Sequence, residues 1–107
     1  MTNKREQSQN AGAELFARYS DESMPKRKLA TEQVFNSIDG GLAILAHVDD
    51  PEEAFQINEL VDAYSETMET SLQTQEEQRS RIDKQNEITR AVNRIVQAAF
   101  DRKMSGQ

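Results

Sequence analysis

The stretch QTQEEQRSR, residues 73–81, has no apolar side chain and lies between two segments whose apolar residues recur with a helical period. Upstream, Ile57, Val61, Tyr64 and Met68 repeat at four-three-four spacing; downstream, Ile88, Val92, Ile95 and Ala99 do the same. Read backwards, the second set pairs Ile57 with Ala99, Val61 with Ile95, Tyr64 with Val92 and Met68 with Ile88, a mirror centred on Gln78. Layers mirrored in this way suit two helices packed antiparallel. Two connectivities satisfy the mirror. A turn within 73–81 would close an intramolecular hairpin. A continuous helix over 51–104, about 80 Å long, would instead pair with a second copy about a two-fold axis at Gln78.

Turn chemistry separates the two. Connections between helices favour Gly, Asn or Pro, and residues 73–81 contain none of them. Gln, Glu and Arg are good helix formers, and no Gly or Pro follows Pro51 until Gly106. The expectation is therefore an uninterrupted helix and a homodimer, with a break near 74–80 as the alternative. Ile57, Val61, Tyr64, Met68, Ile88, Val92, Ile95 and Ala99 would then form a self-association seam.

Charge follows the same division. Twelve acidic residues and no Lys or Arg lie between Leu29 and Gln78, whereas seven basic and three acidic residues follow from Arg79 onward. Antiparallel pairing lays the acidic half beside the basic half, and parallel pairing would stack acid on acid. Asp62 and Glu66 stand level with Arg94 and Arg90 but nearly opposite the apolar seam, so the attraction is a screened bias and not a set of close ion pairs.

Further upstream, HVDDPEEAF is the strongest punctuation: Asp50 suits an N-cap, Pro51 the first helical position, and Glu53 stands at capping-box spacing. Caps account for Asp49, Asp50, Glu52 and Glu53 without a metal, and the Gly and spaced ligands of a hard-cation loop are missing. A helix over 25–48 is expected, capped by Ser23 with Pro25 in its first turn. Its apolar stripe is Val34, Ile38, Gly41, Leu45 and Val48, widened by Phe35 and Leu42. Gly40-Gly41 reads either as room for a close helix approach or as a break. AGAELFARYS places Leu15, Phe16 and Tyr19 on one side of a short helix over 12–20, and residues 1–10 read as a disordered tail.

The fold class is thus all-α: one helical domain over 11–107, built as an antiparallel coiled coil or a helical hairpin and bundle. Apolar residues at 36% and charged residues at 30% suit long amphipathic helices with wet faces better than a large enclosed core. No apolar run reaches membrane-spanning length and the N-terminus lacks an apolar signal core, so a cytoplasmic protein without membrane association is expected.

The inventory of chemistry is short. With no Cys and a single His, the usual zinc and Cys-His arrangements cannot be built, and His47 falls on a polar helix face where it reads as solvated. No phosphate-cradling glycine loop occurs. Glu59 with Asp62 and Glu66 with Glu69 are i, i+3 carboxylate pairs, but they point away from the seam and lack a second acidic pair opposite. No catalytic residue, cofactor or metal is assigned, and an enzyme is not expected.

What remains is a surface. Glu52, Glu59, Asp62, Glu66, Glu69 and Glu76 would form a carboxylate row about 36 Å long on a continuous helix. The plain reading is a solvated face; the sharper one is that Glu59, Asp62, Glu66 and Glu69 engage a protein partner with a basic surface. Lys26-Arg27-Lys28 and the C-terminal basic residues lack interleaved aromatics, so direct nucleic-acid binding is not expected. The sequence reading is a small acidic protein-binding protein, an adaptor, assembly factor or inhibitor. An acidic nucleic-acid mimic is its rival, and a secretion or virion assembly subunit or chaperone is a third possibility. If the acidic face is inert, Phe35, Leu42 and Phe100 are the apolar candidates for contact.

Overall fold

The computed structural model describes residues 11–69, 71 and 74–106, and every regular element among them is helical. In chain order these are α1 (Ala11–Tyr19), α2 (Pro25–Phe35), a 3-10 segment η1 (Gly41–His47), α3 (Pro51–Glu69) and α4 (Gln75–Ser105). The tail expected over 1–10 lies outside the described residues.

α3 begins as its sequence dictates. Pro51 occupies the first helical position and the Glu52 N–H donates to Asp50 Oδ1 at 2.9 Å. Glu53 does not reach back to complete a capping box; its carboxylate accepts two hydrogen bonds from Arg102, at 2.6 and 3.2 Å, and so ties the start of α3 to the end of α4. At the opposite end, Gln85 Nε2 donates to Thr67 Oγ1 at 2.8 Å. The two contacts, 53 with 102 and 67 with 85, fix α3 and α4 as antiparallel neighbours.

The continuous helix over 51–104 is not what forms. α3 stops at Glu69, and α4 starts at Gln75 behind an extended Thr74 (φ −121°, ψ 160°) whose Oγ1 accepts from the Glu77 N–H at 3.1 Å. Thr-Gln-Glu-Glu, residues 74–77, has the T-x-x-E spacing of a capping box, a helix start that needs no Gly or Pro. The break therefore lies upstream of the mirror centre, and the chain closes the hairpin on itself.

Moving the joint also turns the seam. On α3 the buried positions are Ala54, Ile57, Val61, Tyr64 and Thr67; on α4 they are Ile88, Val92, Val96 and Ala99. Thr67 takes the depth expected for Met68, and Val96 that expected for Ile95; Met68 and Ile95 are half-buried against the same core. Thr67 is affordable there because its hydroxyl donates to the Tyr64 carbonyl at 2.6 Å while accepting from Gln85. Ile57, Val61, Val92 and Val96 have no exposed surface, and each contributes roughly 1.5–3 kcal/mol of apolar burial.

The remaining elements cover this hairpin. α1 runs beside the first half of α3 in the same direction, with the Gly12 N–H donating to Val48 O at 2.9 Å and Tyr19 Oη donating to Asn58 Oδ1 at 3.1 Å. Gly12 permits that approach, because a Cβ there would lie 1.7 Å from the Leu45 carbonyl oxygen. α2 covers the second half of α3, where Tyr64 Oη donates to Gln33 Oε1 at 3.0 Å. Burial raises both tyrosine hydroxyls above the ordinary phenol value.

The helix expected over 25–48 is broken. α2 ends at Phe35, and Gly40 and Gly41 then adopt φ of +90° and +56°, which turns the chain into η1. Nothing lies within 4 Å of a Cβ built on Gly41, so this glycine serves the turn and not a close approach. The stripe residues Val34, Ile38, Leu45 and Val48 are nevertheless all buried. Ser23 does not cap α2 either; its N–H and hydroxyl both donate to Asp21 Oδ1, at 2.9 and 2.7 Å, and hold that carboxyl below its usual range. Of the three residues expected to dock α1, Leu15 and Tyr19 are buried and Phe16 is not.

Candidate interaction surface

Ending α3 at Glu69 cuts the carboxylate row. Glu76 belongs to α4, and the row that remains, Glu52 to Glu69, is about 26 Å long by helix rise. Its two ends then differ. At the C-terminal end, Lys26 Nζ lies 2.7 Å from Glu69 Oε1 and Arg27 Nη2 lies 3.8 Å from Asp62 Oδ1. The hydrogen bond to Glu69 raises the Lys26 ammonium above its ordinary value. The basic cluster of α2 and part of the acidic face of α3, which read as separate solvated surfaces in sequence, are partners. The Lys26–Glu69 pair is exposed and the Arg27–Asp62 pair half-exposed, so solvent screening leaves both weak.

The N-terminal end is built differently. Glu52 and Glu59 are exposed and stand three residues before and four residues after Phe55, so both neighbour it on the helix surface. Phe55 is 62% exposed, the most exposed large apolar side chain among the described residues. It borders a groove of about 400 Å³ between α1 and α3, lined also by Ala11, Glu14, Leu15, Ala54 and Asn58. Arg18 lines the same groove at its Asn58 end. Single exposed apolar residues are ordinary on protein surfaces. An aromatic ring at the lip of a groove and bracketed by carboxylates is a more specific arrangement.

Of the expected acidic face, Glu59, Glu66 and Glu69 are thus exposed and Asp62 is half-buried, with Asp62 and Glu69 engaged by α2. The reserve apolar candidates fare otherwise. Phe35 is buried in the core, Leu42 packs against the core, and Phe100 is half-covered by His47. Phe55 carries a signal in the sequence, an aromatic off the apolar stripe between Glu52 and Glu59, but a periodic stripe marks what is buried and not what is exposed.

His47 is not the solvated residue expected. Its ring meets Phe100 edge-on with centroids 4.9 Å apart, and its Nδ1 is buried without a hydrogen-bond partner. It acts as a packing residue where η1 closes over α4. Among the described residues no group of three or more His, Cys, Asp or Glu side chains could hold a metal ion, and no helix is long and apolar enough to cross a membrane.

No family model matches this chain, and neither a curated protein nor a solved structure matches it. The surface itself must therefore carry the functional reading.

Proposed function

We propose that this protein binds another protein through the α1–α3 face and performs no chemistry of its own, acting as an adaptor, assembly factor or inhibitor. The observation that carries the reading is Phe55, 62% exposed at the lip of a groove and bracketed by Glu52 and Glu59. Aromatic side chains, Phe among them, are enriched at protein interfaces relative to the rest of the surface. The test is cross-linking capture in the native host with the wild-type chain and with Phe55→Asp. Loss of one captured protein in the variant is the expected result. Identical captures from both chains would end the proposal.

The rival reading, a mimic of nucleic acid, rests on the acidic face as a whole. Lys26 and Arg27 occupying Glu69 and Asp62 weigh against it, because a phosphate-like ladder needs its charges free. Changing Glu59, Asp62, Glu66 and Glu69 together to Gln, with nucleic acid as competitor for the captured partner, separates the two readings. A mimic loses affinity and is displaced; a groove-binder of the kind proposed here is not displaced.

The homodimer expected from the sequence depended on an unbroken helix. With α3 ending at Glu69 and packed antiparallel on α4, we propose that the closed hairpin is the working form. Exchange of α4 between two copies would reproduce the same seam contacts, and light scattering decides between them: 12.2 kDa for the closed chain, twice that for the exchanged pair.

A further inference from the structure

We infer that the occupant of the α1–α3 groove is a basic amphipathic helix of the partner protein, with Lys or Arg at positions i and i+7 and an apolar side chain between them at i+3 or i+4. This inference rests on the protein-binding reading above and specifies its partner.

The groove dictates the pattern. Glu52 and Glu59 are seven residues apart on one helix, so their carboxylates are separated by about 10 Å along its axis. A helix lying alongside presents residues i and i+7 with the same rise, and cations there meet both carboxylates at once. Between them stands Phe55, and beside it the groove floor is Ala11, Leu15 and Ala54, all at least nine-tenths buried. An apolar side chain half-way between the two cations would enter there. Such helix-in-groove recognition is read as spaced apolar anchors, with the flanking charges setting specificity.

Charge complementarity favours a basic occupant over a neutral or acidic one. Glu14 lines the groove from the α1 side, and Glu52 and Glu59 neighbour Phe55 beyond its lip on α3. Among the described residues none of the three is held in an ion pair, in contrast with Asp62 and Glu69. The one cation among the lining residues, Arg18, lies at the Asn58 end. It suits the negative C-terminal pole of the incoming helix, while Glu14 and Glu52 suit its positive N-terminal pole, so the occupant runs parallel to α3.

The test uses the full chain and synthetic peptides about five turns long, titrated by fluorescence anisotropy. One peptide carries Lys at i and i+7 with Leu at i+3 and i+4; a second has the same composition in scrambled order. The patterned peptide should bind and the scrambled one should bind at least about tenfold more weakly. Phe55→Ser and the pair Glu52→Gln with Glu59→Gln should each weaken binding by about tenfold or more. Glu32→Gln with Glu76→Gln removes the same charge away from the groove and should leave binding unchanged. All of these positions are exposed, so circular dichroism should show every variant folded.

Equal binding of both peptides, or equal loss in the Glu32/Glu76 control, would reduce the effect to bulk charge and overturn the inference. A wild-type particle mass that doubles and returns to 12.2 kDa in Phe55→Ser would assign the groove to a second copy and also overturn it. If host capture depends on Phe55 while neither peptide binds, the partner is a protein of other chemistry. The helix inference then fails and the protein-binding reading stands. If capture is also indifferent to Phe55, both fail.

Discussion

Two of the joints between helical elements, α2 to η1 and α3 to α4, are made by different means. Between α2 and η1 the turn is written where it occurs: Gly40 and Gly41 take positive φ, which other residues adopt only under strain. Between α3 and α4 no residue is specialised for turning. There the chain stops because Thr74 begins a new helix with its own cap, and because the two helices it joins bury each other's apolar faces. The first joint is local information; the second is local information about a start, made into a turn by distant packing.

If that contrast is right, the second joint should be opened from far away. Val92 has no exposed surface and lies in the middle of the seam. Val92→Asp buries an unpaired carboxylate and should cost on the order of 3 kcal/mol or more, abolishing a cooperative melt for a chain this small. Ile82→Asp, on the same helix but half exposed, should stay within about 0.5 kcal/mol. A native-like melt in Val92→Asp would show that the seam does not hold the hairpin shut.

Alkali should distinguish the two sides of the bundle. Tyr19 and Tyr64 tie α1 and α2 to α3, whereas the α3–α4 tie between Thr67 and Gln85 does not titrate. Burial, reinforced by Asp62, makes the folded chain hold the Tyr19 proton more tightly than the unfolded chain does. The stability it lends is therefore complete below the ordinary value of 10 and is lost as pH rises above it, by roughly 1.4 kcal/mol per unit. Tyrosinate absorbance should appear together with loss of helix and not before it. Titration of both tyrosines in a fully helical protein would refute this.

Changes in the joints themselves should be smaller. Gly41→Val places a branched side chain at φ +56° and should lower stability by about 1–2 kcal/mol through backbone strain alone, since the surrounding space is open. Gly41→Asn should recover much of that loss, because Asn tolerates the left-handed region. Thr74→Ala removes only the cap and should cost about 1 kcal/mol, with Thr74→Ser close to wild type. Denaturant melts of the four variants give the ranking; a larger effect at Thr74 than at Gly41 would reverse the comparison.

The same contrast explains what could be read in the sequence. The residues that go inside were legible, because burial follows period: Val34, Ile38, Leu45, Val48, Ile57, Val61, Ile88 and Val92 were all marked by spacing and are all buried. The all-helical class followed from that. The first joint was legible as an alternative, because glycine pairs leave few other uses. The second was legible only as the lesser alternative, a break near 74–80, because residues 73–81 lack Gly, Asn and Pro while the T-x-x-E at 74–77 marks a helix start without them. A shift of joint by a few residues then rotates the seam and exchanges Met68 for Thr67 and Ile95 for Val96.

The surface was less legible. Ion pairs between Lys26 and Glu69 or Arg27 and Asp62 join residues far apart in sequence, and nothing in either segment specifies the other. The groove beneath Phe55 exists only because Gly12 brings α1 against η1 and the start of α3, a contact that periodicity does not encode.

α4 has 31 residues to the 19 of α3, and with Gln85 beside Thr67 its first turns run past the end of α3. Residues 75–80 are all exposed, while Ile88, Val92, Val96 and Ala99 are clamped in the core. The helix is thus a rod gripped along its later turns and exposed over its first, without a glycine or proline along its length to act as a hinge. A load placed on the exposed turns has nowhere to be absorbed before it reaches the core. Displacement there is transmitted as torque on the seam, making the overhang a handle by which the whole bundle can be pried open or braced.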